Sequence, residues 1–579
     1  MANMIQGAKD RISEILTAAY NKAVEKGELP AGAALSGSVE IPKDTANGDY
    51  AANHAMTGAK ALHMAPRKIA EALVANMELE GSWFSSVEVA GPGFINFRLA
   101  ESWYSDVLRN IAAEGANYGR VDVGHGQRLM VEFVSANPTG PMHMGNARGG
   151  VLGDALASVL DRAGYQVWRE FYVNDAGNQI EKFATSIDAR YQQLILGEDQ
   201  VEFPEDGYHG DDIKDLAKAF YDAYGEKYLQ EDVKTRHEAM ARFGLDRNIP
   251  KMQSDLRRYG IEYDQWFFES ELHESGYVAE SVQLLTDRGY TYEKDGALWL
   301  KTSQIITEHM LKNGKKQADI DKLELKDDVL RRANGFYTYF AADIAYHRNK
   351  FEKRGFDRVI NVWGADHHGH VARLQGAMDA VGLDGDKLDV VLMQLVELMR
   401  NGKPERMSKR TGKAITLTDL LEEVPIDAAR FLFNMREPNT HLIFDLDLAV
   451  EQSNQNPVYY VQYAHARICS ILRALAEEGV TPKEDISLYN YTEPEELALV
   501  SEIAKFPVEI AESVKSYNPA RITKYAVDLA TMFHQFYNAC RCRGVEEDVM
   551  YARIALCLAA KTTIKNVLTM LKVTVPESM

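Results

Sequence analysis

Hydrophobic and polar positions along the chain switch repeatedly between a period of two and a period near 3.6, and the switches mark out its elements. "RLMVEFV" at 128–134 and "QVWREFYV" at 166–173 predict strands. Between them Val151, Leu152, Ala155, Leu156, Val159 and Leu160 fall on one face of a helix that Gly164 ends. Strand, helix, strand is a βαβ unit, from which parallel nucleotide-binding sheets are built. A second strand–helix pair follows, "DRVINVWG" into "ADHHGHVARLQGAMDAVG", and then "VVLMQLVELM", which predicts one alternating strand. Residues 195–260 are acidic and helical and predict an insertion. Residues 1 to about 115 alternate helical patterns with short strands, and "VEVAGPGFINFRL" predicts two strand pieces around a Gly-Pro-Gly turn. From about residue 451 the pattern is helical to the end, and no repeat or low-complexity segment interrupts it.

A chain of 579 residues exceeds what one core usually supports, so two to four domains are expected. No run of 18 apolar residues predicts a membrane span, and the first 20 residues read as an amphipathic helix rather than a signal peptide. A net charge of −20 argues against nonspecific polyanion binding. Residues 515–579 nevertheless hold nine basic and five acidic residues, a local basic balance suited to a selected, folded nucleic acid. Cys469, Cys540, Cys542 and Cys557 form no C-x-x-C and suit reduced thiols, with a metal at Cys540 and Cys542 as the alternative.

Chemistry concentrates in "VSANPTGPMHMGNARGGVLGD" at 134–154. Prolines and glycines fix a tight path out of a strand, and a helix begins with its free N–H groups outward, an anion site most often used for phosphate. His143 and Asn146, three apart, can share the first turn; the alternative is a glycine-rich turn with a core histidine. Neither a Walker loop nor G-x-G-x-x-G is present. Further on, Lys403, Arg406, Lys409, Arg410 and Lys413 crowd 11 residues against a single acid, Glu405, with Gly402 and Gly412 at either end predicting a mobile cationic loop. A cationic loop opposite an anion-binding helix end suits in-line attack at a nucleotide α-phosphate and departure of pyrophosphate.

His143-Met144-Gly145-Asn146 resembles the HIGH signature, and Arg406-Met407-Ser408-Lys409-Arg410 the KMSKS signature, of class I aminoacyl-tRNA synthetases. Asn146 stands where a second His is usual, and Arg406 replaces the first Lys. "SANPTGPMHMGNARGG", "YTYFAADIAYH", "VWGADHHGH", "HLIFDLDLA", "YVQYAHAR" and "PESM" extend the resemblance over the whole chain, to the arginyl-tRNA synthetases. The fold it implies is α/β: a Rossmann-like parallel-sheet catalytic domain (116–450, with an insertion at about 195–300), an α+β N-terminal domain (1–115) that grips the tRNA elbow, and an all-α anticodon-binding domain (451–579).

The resemblance also implies site residues. His143, Asn146 and Lys409 would be catalytic. Ala136, Pro138, Thr139, Gly140, Pro141 and Met142, then Met144 and Gly145, would contact ATP, as would Gly364, Asp366, His367, Met407 and Ser408. Glu132 and Asp343 would hold the guanidinium, which favours paired carboxylates. Tyr339 lies one helical turn from Asp343, and Asn137 would hold the amino-acid end. A surface salt bridge is the alternative for Asp343, and a metal cluster for Asp366, His367, His368 and His370. Phe94 and Asn96 would meet a D-loop base, with Phe94 as plain core the alternative. Tyr463 and Met579 are anticodon candidates. The expected activity is arginine activation with ATP and Mg²⁺, without zinc, and transfer to the terminal ribose of tRNA(Arg), by a cytoplasmic monomer without membrane contact. The family needs tRNA bound before it forms the adenylate. The rivals are another class I synthetase or nucleotidylyltransferase, which the carboxylate pair disfavours, and a non-catalytic tRNA-binding paralogue, which retained His143 and Lys409 disfavour.

Overall fold

The computed structural model describes residues 3–32, 35–405, 415–483 and 490–579. They form two compact units: Asp122–Asn456 with Ser516–Ala520, and Met1–Val121 with Pro457–Lys515 and Arg521–Met579.

The first unit is built on a five-stranded parallel sheet. In chain order its parts are β1 (Arg128–Glu132), α1 (Met144–Arg162), β2 (Gln166–Val173), α2 (Asn178–Leu196), α3 (Val233–Arg258), β3 (Gln265–Phe268), α4 (Tyr339–Arg348), β4 (Arg358–Gly364), α5 (His368–Ala380) and β5 (Leu388–Met393). The strand order is β5-β4-β1-β2-β3, all neighbours parallel. Both faces are covered, which is why Leu129, Met130 and Val131 form an unbroken apolar run rather than an alternation. On one face Met130, Tyr172, Val359 and Leu388 pack with Ile344, Tyr346 and Leu374. The predicted insertion closes a core of its own: Phe183, Ile187 and Tyr191 of α2 meet Phe220, Met240 and Phe243.

"VVLMQLVELM" is two strands, not one. β5 ends at Met393, and Val396–Arg400 joins a separate sheet beside Leu442–Asp445 and Lys403–Pro404. The break falls at Gln394, whose N–H donates to the Pro438 carbonyl at 2.9 Å and whose own carbonyl accepts from Arg148 at 2.6 Å. With both backbone groups engaged elsewhere, neither ladder continues through it.

In the second unit a four-stranded antiparallel sheet (Val39–Glu40, Tyr50–Ala52, Phe94–Leu99, Phe84–Ala90, in that spatial order) contains the hairpin read at "VEVAGPGFINFRL". Helices Pro457–Glu477, Pro494–Ala504 and Glu547–Met570 belong to the same unit. The two ends of the chain interlock there. Tyr118 donates its hydroxyl to the Ile503 carbonyl at 2.9 Å, and Asn566 donates to the Gly115 and Tyr118 carbonyls at 2.9 and 3.1 Å. Gly119, at φ +97°, lies so close to Phe506 that a Cβ would meet the ring at 2.1 Å.

Gly153 plays the same part in the first unit, where α1 crosses β1: a Cβ would fall 2.2 Å from Phe133 Cγ. Alanine gains helix propensity of about 0.5–1 kcal/mol over glycine, but overpacking a tight core costs typically 1–3 kcal/mol. Overpacking wins. Gly153→Ala should therefore lower the denaturant midpoint with an unchanged slope, and a raised midpoint would show that Phe133 can yield.

Candidate active site

Because the chain leaves β1 and β4 toward opposite sides of the sheet, their carboxyl ends open a crevice, where open α/β sheets bind ligands. The exit from β1 is strained. Val134 and Ser135 have φ of +70° and +40°, a region that branched residues rarely enter, at roughly 1–3 kcal/mol each. Hydrogen bonds hold the turn: Ser135 Oγ donates to Glu132 Oε1 at 2.9 Å and accepts from the Tyr172 N–H at 3.1 Å, while Tyr263 donates to the Phe133 carbonyl at 3.0 Å. Beyond it Asn137, Pro141 and His143 are exposed; Ala136, Gly140, Gly145 and Asn146 are half-buried; Pro138, Thr139, Met142 and Met144 are buried. Asn248 donates to the Pro138 carbonyl at 2.8 Å.

Helix α1 starts in a capping arrangement. The His143 backbone is extended, and its N–H donates to Asn146 Oδ1 at 3.0 Å. The Asn146 carbonyl oxygen is thereby engaged, while its amide N–H groups remain as donors. Desolvation lowers the His143 pKa, so the ring is neutral near pH 7. Ala147, Gly149 and Gly150 are buried within the protein, so their small size serves packing rather than an open ligand surface. The described residue Thr416 bridges His143 in antiparallel fashion, and the Leu417 N–H donates to the Met142 carbonyl at 2.8 Å. Met407, Ser408 and Lys409 lie outside the described residues.

Gly364 ends β4, and Asp366, His367 and His368 stand exposed after it, with Asp366 and His367 3.5 Å apart. His370 turns inward and its Nε2–H donates to Asp343 Oδ2 at 3.1 Å. Asp343 is half-buried, and this histidine, rather than a lysine or arginine, is its ionic contact among the described residues. Tyr339, one turn earlier on α4, accepts the Gln179 N–H at 3.2 Å. Among the described residues no group of three His, Cys, Asp or Glu could hold a metal ion.

Glu132 departs from expectation. Expected with Asp343 to hold the guanidinium, it is buried and bonded at 2.5 Å to the fully buried ammonium of Lys350. No local pattern announces this pair, whose members are 218 residues apart. The sequence reading also missed Glu269, which follows β3. This buried carboxylate accepts the Tyr172 hydroxyl at 2.8 Å and lies 3.4 Å from His273. Burial first, then the charges of Glu269 and Asp343, push the Tyr172 pKa far up. Arg148 was missed as well. Buried on α1, it donates to the carbonyls of Gln394, Glu437 and Thr440, and desolvation pushes its pKa down to about 10.

The residues expected to meet tRNA lie in the other unit. Phe94 is 38% exposed at the start of its strand, but Asn96, on the same face, is only 3% exposed. The close turn at Gly48 lies over Asn96, so the surface contact expected of it is not open here. Tyr463 stacks on His534 at 5.9 Å and lies 5.3 Å from Arg467. The tail that ends in exposed Met579 is tied to the same helix: Gln462 donates to the Thr574 carbonyl and His465 to that of Pro576.

Three family models match the chain: the arginyl tRNA synthetase N terminal domain over residues 9–99, the catalytic domain of class I (R) tRNA synthetases over 107–468, and the DALR anticodon binding domain over 461–579. Arginine–tRNA ligases of Caldanaerobacter subterraneus subsp. tengcongensis and Acetivibrio thermocellus are 55% and 52% identical, with both chains covered over 100%. The arginyl-tRNA synthetase structure of Thermus thermophilus superposes with a TM-score of 0.72 at 23% identity, covering 99% of this chain and 100% of its own.

Behind the crevice His347 is fully enclosed. Its Nδ1–H donates to the Asp343 carbonyl at 2.8 Å and its Nε2 accepts from Asn361 at 2.7 Å. Burial and the Lys350 ammonium hold its pKa well below 6.5. The folded state thus binds fewer protons than the unfolded one as pH falls through 6.5, and the stability present above that pH is lost below it. The calorimetric midpoint should drop between pH 7 and 5, and His347→Gln should flatten that drop; an unchanged pH slope would mean the ring titrates freely.

Proposed function

The chain belongs to the arginyl-tRNA synthetases of class I and is an arginine–tRNA ligase, and from that premise we propose how its residues divide the reaction. ATP lies along the loop from Ala136 to Gly145, its adenosine toward Gly364, Asp366 and His367. Arginine lies between α4 and the β1 exit. Its carboxylate attacks the α-phosphorus, pyrophosphate leaves, and the terminal ribose hydroxyl of tRNA(Arg) then displaces AMP. His143 and Asn146 donate hydrogen bonds to phosphate oxygens, which the positive end of α1 also attracts. Lys409, assigned from its sequence signature alone, faces the departing pyrophosphate. Mg²⁺, arriving on the nucleotide, screens the phosphate charge.

One observation carries the arginine pocket. In this unit the buried carboxylates Glu132, Glu170 and Asp154 are each neutralised by a built-in cation, Lys350, Arg354 and Arg430. Asp343 and Glu269 have no lysine or arginine partner among the described residues. A substrate guanidinium supplies that missing charge to both. Glu269 therefore takes the place first expected of Glu132, with Tyr339 flanking the side chain and Asn137 holding the amino-acid end. Phe94 stacks on a base of the tRNA elbow, and Tyr463 and Met579 meet the anticodon stem-loop. We expect the enzyme to act as a cytoplasmic monomer; no described helix is long and apolar enough to cross a membrane.

Arginine alone should support ATP–pyrophosphate exchange, and only with tRNA present; robust exchange without tRNA, or with another amino acid, would refute the assignment of the tRNA requirement or of the pocket respectively. Asp343→Asn should raise the arginine KM and spare that for ATP, with about 2–5 kcal/mol at stake when one partner of a desolvated pair is truncated. Equal loss for both substrates would make Asp343 structural.

A further inference from the structure

A continuous polar chain runs beneath the crevice to the backbone of Asp343, and its side chains lie outside the substrate contacts proposed above. Ser135 donates to Glu132; Lys350 donates to the other oxygen of Glu132 and, at 3.2 Å, to Asn361 Oδ1. Asn361 donates to His347, and His347 donates to the backbone carbonyl of Asp343. Its two ends are therefore the strained Val134–Ser135 turn, which sets the path of Asn137, and the α4 turn that carries Asp343.

Lys350 is the centre of this chain. It is 0% exposed, and its three N–H groups face three acceptors: Glu132, Asn361 and, at 3.4 Å, His347 Nε2. The Tyr346 ring lies 4.1 Å from the ammonium. Lys350 reaches this position from a five-residue π-helical turn, Asn349–Lys353, that continues α4; such turns are rare and gather at functional sites. A buried ammonium that only neutralised Glu132 would need one partner. This one also binds the side chain of the neighbouring strand and the histidine beneath Asp343.

We propose that Lys350 is a positioning residue for arginine: through Glu132 and Ser135 on one side, and Asn361 and His347 on the other, it fixes the distance between the turn holding the amino-acid end and the carboxylate holding the guanidinium. The inference rests on the arginine pocket proposed above. An amino acid gripped at both ends is sensitive to that distance, because a displacement of about 1 Å can reduce catalysis by as much as 10²-fold. ATP, held on the other side of the β1 exit, is not.

The test uses the full chain with tRNA and reads arginine KM, ATP KM and the calorimetric midpoint for three variants. Lys350→Met alone would strand a buried carboxylate, so it is paired with Glu132→Gln, which removes both charges together. Ser135→Ala cuts the chain at its far end and leaves the ion pair intact. The double variant should still unfold in one calorimetric transition, raise the arginine KM by about tenfold or more and leave the ATP KM unchanged, and Ser135→Ala should move the arginine KM in the same direction. Parental arginine KM in both, or a parallel rise in both KM values, overturns the inference. If the double variant does not fold, Ser135→Ala decides by the same criteria. Asp343→Asn separates the two levels: no rise in its arginine KM sinks the pocket and this inference together, whereas a rise there, with none in the other variants, sinks this inference alone.

Discussion

Glu132 and Glu170 sit side by side in neighbouring strands of the central sheet, with Asn361 beside Glu132 on the other flank. Two carboxylates at the heart of a parallel sheet are a severe constraint, since each buried charge costs several kcal/mol unless it is paired and fully hydrogen-bonded. The pairing comes from one continuous segment. Lys350 meets Glu132, Arg354 meets Glu170 through both of its amino groups, and Tyr346 adds its hydroxyl to Glu170 at 2.5 Å. The helix bearing Asp343 is therefore held against the strand ends by fixed charge as well as by apolar packing. Its orientation follows from the requirement that neither Glu132 nor Glu170 be left alone.

That arrangement also decides which charges stay available. Glu132 and Glu170 are compensated internally, and Asp154 by Arg430, whereas among the described residues the contacts of Asp343 and Glu269 are imidazoles and a tyrosine. Tyr172 keeps its proton because burial and the charges of Glu269, Asp343 and Glu132 oppose its ionisation. It remains a hydrogen-bond donor to Glu269, not a competing anion. The start of α1 is built differently, from a neutral imidazole, an amide and a helix end. A helix dipole contributes about 0.3–1 kcal/mol at an exposed end, whereas one preorganised donor at a reacting centre is worth about 10²–10³ in rate. In the proposed reaction, discrete donors therefore outweigh the helix field.

Much of the sheet was legible because its signals are local. The runs at 128–134, 166–173 and 357–364 needed only their own composition to predict strands, and the glycine-rich exit from β1 needed only its spacing. The errors share a different origin. An alternating pattern says which side chains face inward but not which sheet they join, so Gln394 could divide "VVLMQLVELM" unannounced. Likewise, Phe94 and Asn96 have equal claims to one strand face, and only the turn at Gly48 separates exposed from covered. The Glu132–Lys350 pair was not legible because its members lie 218 residues apart. Glu269 was overlooked because, inside the insertion, no short-range pattern distinguishes it from the many acids around it. Pairings across the fold, not element types, were what the sequence withheld.

Asn146 brings these two levels together. In the family signature a second histidine usually stands at this position, and the asparagine reads at first as a loss of a catalytic ring. The helix start gives the position one task, to accept the His143 backbone N–H, and the proposed reaction gives it a second, to donate to phosphate. A neutral imidazole has one acceptor and one donor nitrogen; an amide has a carbonyl oxygen and two N–H groups. Both chemistries fill both tasks, and the capping bond at 3.0 Å accounts for the first of them in this chain. What the amide gives up is the ability to become cationic, and the neighbouring ring already forgoes that, since desolvation keeps His143 neutral near pH 7. The exchange therefore leaves the helix end with an acceptor and donors of the same kind, and in the proposed reaction the positive charge at departing pyrophosphate comes from other residues.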